Sequence, residues 1–200
     1  MPKTRSIFPV ETAEVDERLY FEMINAAHEA REDKLISNGK PAHAVYLLNK
    51  FLESAERSVR IYTGKLSRVF DGVLAYGDPE LARSAIQFLQ KENSSLSIMI
   101  AEDPDVEEGQ SIKDHPLLTA ISKAAIRGSV NVSRGNPDDL EGFHCHFIVM
   151  DEEAARVEYD TDNAQAFVNF GYAETSARLV RLFDAYQRNS TPLLSLPAAA

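Results

Sequence analysis

The chain has 200 residues with 21 basic and 31 acidic side chains, a net charge of −10, and a hydrophobic share of 44%. It is long enough to bury a full core without disulfides or metal, and its acidic excess argues against a protein that grips nucleic acid over a broad face, which needs clustered Lys and Arg. One cysteine, Cys145, excludes an internal disulfide, and no apolar run is long enough for a signal segment or a spanning helix, so a cytoplasmic location is expected.

The first ten residues read as an arm. From about Val15 to Ala30, Leu19, Met23, Ala26, Ala27 and Ala30 recur at helical spacing, and Asn38-Gly39-Lys40-Pro41 is a break. Val45, Leu48, Leu52 and Ala55 stripe a second helix leading into a strand, Val59 to Tyr62. Asp78-Pro79 places a capping carboxylate before a proline at the first helical position, with Leu81, Ala85, Phe88 and Leu89 behind it. Leu96 to Ile100 alternates as a strand, and the acidic run Glu102 to Gly109 reads as a solvated loop. His115-Pro116 opens a helix to Ala125, and Val130 and Val132 mark a strand. Arg134 to Gly142 is a polar loop, and Phe143 to Met150 is the most strand-like run. Two further strands, Ala154 to Tyr159 and Ala166 to Phe170, precede a helix with Leu179, Leu182, Phe183 and Tyr186 on one face. Ser190 to Ala200 reads as a frayed exit. Interleaved helices and strands predict an α/β domain with a central mixed sheet flanked by helices.

The sharpest local feature is His144-Cys145-His146, followed by Phe147 to Met150 and Asp151. As part of a strand, His144 and His146 project to one face with Cβ atoms about 6 to 7 Å apart, and Cys145 and Phe147 to the other. Two imidazoles so placed can hold a phosphate, a metal or a carboxylate, or form a structural pair.

His144, one residue, His146, four residues, Asp151 resembles the His-x-Lys-x4-Asp motif of the phospholipase D superfamily. The apolar strand carrying it, the strands behind it and the closing helix Ala173 to Tyr186 resemble that family's order of elements from about Ala42 to Arg188. The resemblance implies a single phospholipase D-like domain over residues 41–188, with an N-terminal arm and helical extension (1–40) and a flexible C-terminal tail (189–200). It further implies His144 as a nucleophile that forms a phosphohistidine, Asp151 as the carboxylate orienting a histidine, and a second motif copy from a homodimer. Two departures oppose turnover. His146 stands where a lysine is expected, replacing a permanent cation by one that titrates near neutrality. Glu158-Tyr159-Asp160-Thr161 stands where active members have Gly-Ser-x-Asn, putting two acids beside a phosphate site.

A degenerate, non-catalytic or weakly catalytic accessory protein, cytoplasmic and bacterial, is therefore expected, one that binds a protein partner or a phosphorylated ligand. The alternative is a dimeric phosphodiesterase of nuclease or phospholipase type with His144 as nucleophile. A further alternative is a metal site on His144 and His146 completed by Asp151, Glu158 or Asp160. Neither a metal nor a cofactor is assigned: Tyr62-Thr63-Gly64-Lys65 lacks the glycine spacing and following Ser or Thr of a phosphate-binding loop. Arg57, Arg60, Lys65 and Arg68 form a basic segment in an acidic chain. It reads as a solvated rim or as the source of the missing cation, with Arg60 and Lys65, and Asn169 from a later strand, as phosphate-binding candidates.

Overall fold

The computed structural model describes residues 17–102 and 111–198. In chain order they form α1 (Glu17–Glu29), β1 (Ile36–Asn38), α2 (Pro41–Ser54), β2 (Ser58–Thr63), β3 (Val69–Phe70), β4 (Val73–Leu74), α3 (Pro79–Leu89) and β5 (Ser95–Ile100). There follow α4 (Pro116–Lys123), β6 (Ser129–Arg134), α5 (Pro137–Leu140), β7 (His146–Met150), β8 (Ala154–Asp160), β9 (Gln165–Asn169), α6 (Ala173–Arg188) and β10 (Thr191–Leu196). Eight strands make one mixed sheet in the order β1-β9-β8-β7-β2-β5-β6-β10, and β3 and β4 make a separate hairpin. The β2–β5 and β5–β6 pairs are parallel, and the other neighbours in the large sheet are antiparallel. Among the described residues no helix is long and apolar enough to cross a membrane.

Strand alternation sorts the core into two layers. Val59 and Ile61, Leu96 and Ile98, and Ile148 and Met150 join one cluster with α2, α3 and α4. Tyr62, Met99, Phe147 and Val149 face the other way and pack with Val180 and Phe183 of α6. Asp78 caps α3 as its sequence predicts, its carboxylate accepting from the amides of Glu80 (2.8 Å) and Leu81 (3.3 Å).

Four segments differ from their sequence reading. The helical extension does not stand apart: Tyr20, Ile24 and Ala27 of α1 enter the main core, and β1 pairs with β9. The polar loop 134–142 contains the short helix α5, capped by Asn136. Residues 191–196, expected within a flexible tail, form an edge strand on β6 because Leu194 and Leu196 reach the core, and an edge strand tolerates Pro192. Finally, β7 begins at His146, leaving His144 and Cys145 outside it. Phe143 spends its amide on the Leu140 carbonyl (3.0 Å), and β2 pairs only as far as Tyr62 opposite Phe147. Most of the acidic run from Glu102 to Gly109, like the first ten residues, lies outside the described residues.

One buried ring joins α1 to α2. His43 is buried and stacks on Tyr20 with centroids 3.6 Å apart, and neither of its ring nitrogens has a hydrogen-bond partner among the described residues. Burial, then the Lys40 charge, holds its pKa below the ordinary value, so the folded state loses stability as pH falls below about 6.5 and the ring must charge. Replacing an unpartnered polar ring with an apolar one of similar shape removes that cost. His43→Phe is expected to raise stability by about 1 kcal/mol, or about 2–4 °C, and to flatten the fall in melting temperature between pH 7 and 5. Thermal melts at both pH values check this, and a loss at pH 7 would mean that the imidazole has a partner.

Candidate phosphate-binding cleft

The parallel strands β2 and β5 end side by side, and β7 starts at the same edge, so Thr63, Gly64, Glu102 and His146 meet where α/β sheets commonly hold ligands. Gly64 permits a close approach. A Cβ there would lie 3.2 Å from His146 Nε2 and 2.7 Å from a Glu102 carboxylate oxygen. The cleft beside it has a cavity of about 80 Å³ whose charged lining is Lys40, Lys65, Arg68, Arg156, Glu158 and His146. Four permanent cations thus line the cleft with Glu158, and Glu102 pairs with one of them at its edge, in a chain whose net charge is −10.

A chain of buried contacts positions these groups. Arg156 Nε and Nη2 donate to Asn38 Oδ1 at 3.1 and 2.8 Å, and Nη2 also donates to Glu158 Oε2 at 3.1 Å. The other Glu158 oxygen lies 3.5 Å from His146 Nδ1 and 3.6 Å from Arg68 Nη1. Arg68 Nη2 donates to the Thr161 carbonyl, tying the base of the β3–β4 hairpin to the end of β8. Lys65 lies 3.6 Å from Glu102. Burial alone would raise the Glu158 carboxyl, but His146 and Arg156 outweigh it and hold it below the usual carboxylate range. Glu158 is therefore ionised at neutral pH and orients the imidazole through Nδ1, while Arg156 neutralises it from behind. Tyr76, also lining the cleft, is pushed up to about 12, chiefly by burial, so its hydroxyl keeps its proton.

The structure separates residues that the motif groups together. His146 lies in the cleft, whereas His144 is exposed in the loop before β7. Asp151 sits at the opposite end of β7, five residues and about 16 Å along the strand from His146. There its carboxylate accepts from the amides of Glu56 (2.6 Å), Arg57 (2.8 Å) and Ser58 (2.7 Å). It orients the α2–β2 junction and no histidine. Of the phosphate-binding candidates only Lys65 lines the cleft. Arg60 projects to the α6 face and pairs with Asp184 at 3.0 Å. Asn169 is buried at the far end of β9, donating to Asp33 (2.8 Å) and accepting from the Gly171 amide (2.9 Å). Among the described residues, no group of three or more His, Cys, Asp or Glu side chains is arranged to hold a metal.

Arg156 and Asn38 escape a motif-based reading, and Glu158, read there as a repelling acid, is instead the histidine's partner. One signal for that partner lies in the sequence. The turn at Asp151 to Glu153 joins two strands, and pairing Met150 with Ala154 forces His146 opposite Glu158, with Arg156 on the same face two residues earlier.

No protein-family model matches the chain, and no curated protein matches it in sequence. Among solved structures it is similar to polyphosphate kinase from Porphyromonas gingivalis, with 12% identity, a TM-score of 0.55, and coverage of 88% of this chain and 30% of that one. It is also similar to NucT from Helicobacter pylori, with 11% identity, a TM-score of 0.51, and coverage of 80% of this chain and 99% of that one. Nuc from Salmonella typhimurium, a phospholipase D family member, superposes with a TM-score of 0.49 and 12% identity over 80% of this chain and 95% of that one. At such identities the likeness is one of fold: an α/β arrangement with a central mixed sheet flanked by helices.

Proposed function

We propose that the chain binds a phosphorylated ligand in the cleft at His146 and does so with little or no turnover. The observation that carries this reading is the concentration of Lys65, Arg68, Arg156 and Lys40, four cations against the two carboxylates of Glu158 and Glu102, inside an acidic protein. Arg68 and Lys65 are the ligand's charge partners, a planar fork and a point charge that turn to it from their contacts with Glu158 and Glu102, while the buried Arg156 stays with Asn38 and Glu158 and acts from behind. His146, standing in the motif's lysine position, turns Nδ1 toward Glu158, which leaves Nε2 on the Gly64 side for the ligand. Weak turnover follows from the separation of the motif's own pair: His144 is outside the cleft, and Asp151 is committed at the far end of β7.

Calorimetric titration with inorganic phosphate at low ionic strength tests the reading. Saturable binding is expected, weakened at least tenfold in Arg68→Ala, and absence of binding overturns it. Bis-p-nitrophenyl phosphate should show no His146-dependent hydrolysis.

The His146–Glu158 contact favours one second reading, a phosphodiesterase with His146, and not His144, as nucleophile. Nε2 would form a bond to phosphorus as the P–O bond breaks, with a histidine from a second copy protonating the leaving oxygen. Hydrolysis of the diester that is lost in His146→Ala, in a protein that sediments as a dimer, would select it.

A further inference from the structure

Charged groups are only part of the cleft's lining. Its apolar part includes Phe70 and Val73 from the β3–β4 hairpin, Tyr76 just beyond it, and Leu48, Pro41 and Ala44 of α2. An apolar wall beside a charged end fits a ligand with two unlike parts. The hairpin is built to supply that wall. It stands apart from the main sheet and turns at Asp71 and Gly72, whose φ values of 52° and 77° suit a two-residue hairpin turn. The hairpin pairs Phe70 with Val73, both of which line the cleft, and Val69 and Val73 leave apolar surface in water. A lone two-stranded hairpin has little stability of its own, so ligand contact is a source of order for it. Arg68, one residue before β3, ties the charged end to this wall.

Resting on the phosphate reading above, we infer that the ligand is a small phosphate monoester whose organic part is compact and apolar. The phosphate lies at Arg68, Lys65 and His146, and the organic part lies against Phe70, Val73 and Tyr76. The cavity of about 80 Å³ beside the apolar wall accommodates a group of a few heavy atoms. A polar remainder of the same size gains nothing from burial against Phe70 and Val73.

Titration of the full chain with phenyl phosphate, glycerol 3-phosphate and inorganic phosphate separates the two levels of the reading. Phenyl phosphate is expected to bind at least tenfold more tightly than glycerol 3-phosphate, which should match inorganic phosphate. Val73→Ser, at a partly exposed hairpin position where folding is not at stake, should erase the preference and keep the affinity for inorganic phosphate. Arg68→Ala should weaken all three ligands together. Equal affinity of the two esters overturns the inference and leaves the phosphate site standing. Failure of all three ligands to bind overturns the phosphate site, and the inference with it.

Discussion

Arg156→Ala is expected to lower the melting temperature by about 6–20 °C, the largest effect of any single substitution at the cleft. Arg156 is 7% exposed and bridges Asn38 on β1 to Glu158 on its own strand. Without it, Asn38 Oδ1 and one Glu158 oxygen lose their donors in a buried setting, and the carboxylate lacks its nearest neutralising charge. Breaking a buried pair from one side costs about 3–5 kcal/mol, because the surviving charge keeps its desolvation penalty and loses its partner. Glu158→Gln in the same background should recover part of the loss, since a neutral amide needs no counterion. A double-mutant cycle measured by thermal or urea unfolding checks this. Additive losses would mean that the two side chains do not sense each other. The pH dependence has a definite sign. Glu158, with its carboxyl held low in the folded state, contributes stability that is complete above its unfolded pKa of about 4.3 and is lost as pH falls through the lower folded value. The Arg156→Ala protein should lose less on acidification than the parent.

The second large effect is expected at Asp151. Three consecutive amides, from Glu56, Arg57 and Ser58, donate to its carboxylate at 2.6 to 2.8 Å. Asp151→Ala leaves all three without that acceptor and places an alanine at a φ of 51°, where Asp and Asn are better tolerated. A loss of about 3 kcal/mol is expected, or about 6–12 °C. Asp151→Asn keeps an oxygen acceptor and the left-handed tolerance and should lose less than half as much. Phosphate affinity, measured well below the melting temperature, should equal that of the parent in Asp151→Asn. A tenfold drop there would return Asp151 to the ligand site, in conflict with its place at the opposite end of β7.

Much of the architecture is legible along the chain because it depends on near neighbours. Apolar stripes at i, i+3 and i+4 place α2, α3 and α6, and Asp78-Pro79 marks the start of α3 to the residue. Strand alternation is informative only where a strand continues. Treating Phe143 to Met150 as one strand puts His144 beside His146, yet the loop after α5 consumes residues 143–145 and leaves one histidine in the cleft and one in solvent. The basic segment divides in the same way. Arg60 alternates with Val59 and Ile61 and so must face away from their core, toward Asp184, whereas Lys65 and Arg68 lie past the end of β2 and reach the cleft.

The sequence by itself determined the α/β class and most of the elements, because helix faces and caps follow from residues close together in the chain. Only the tertiary structure decided which charges share a cleft. Asn38, Arg68 and Arg156 come from segments 30 to 118 residues apart, joined by a strand order that puts β7 between β8 and β2. Electrostatic attraction acts through space at a few ångströms, so a carboxylate that looks repulsive beside a phosphate motif becomes, with Arg156 behind it, the group that holds the histidine in place.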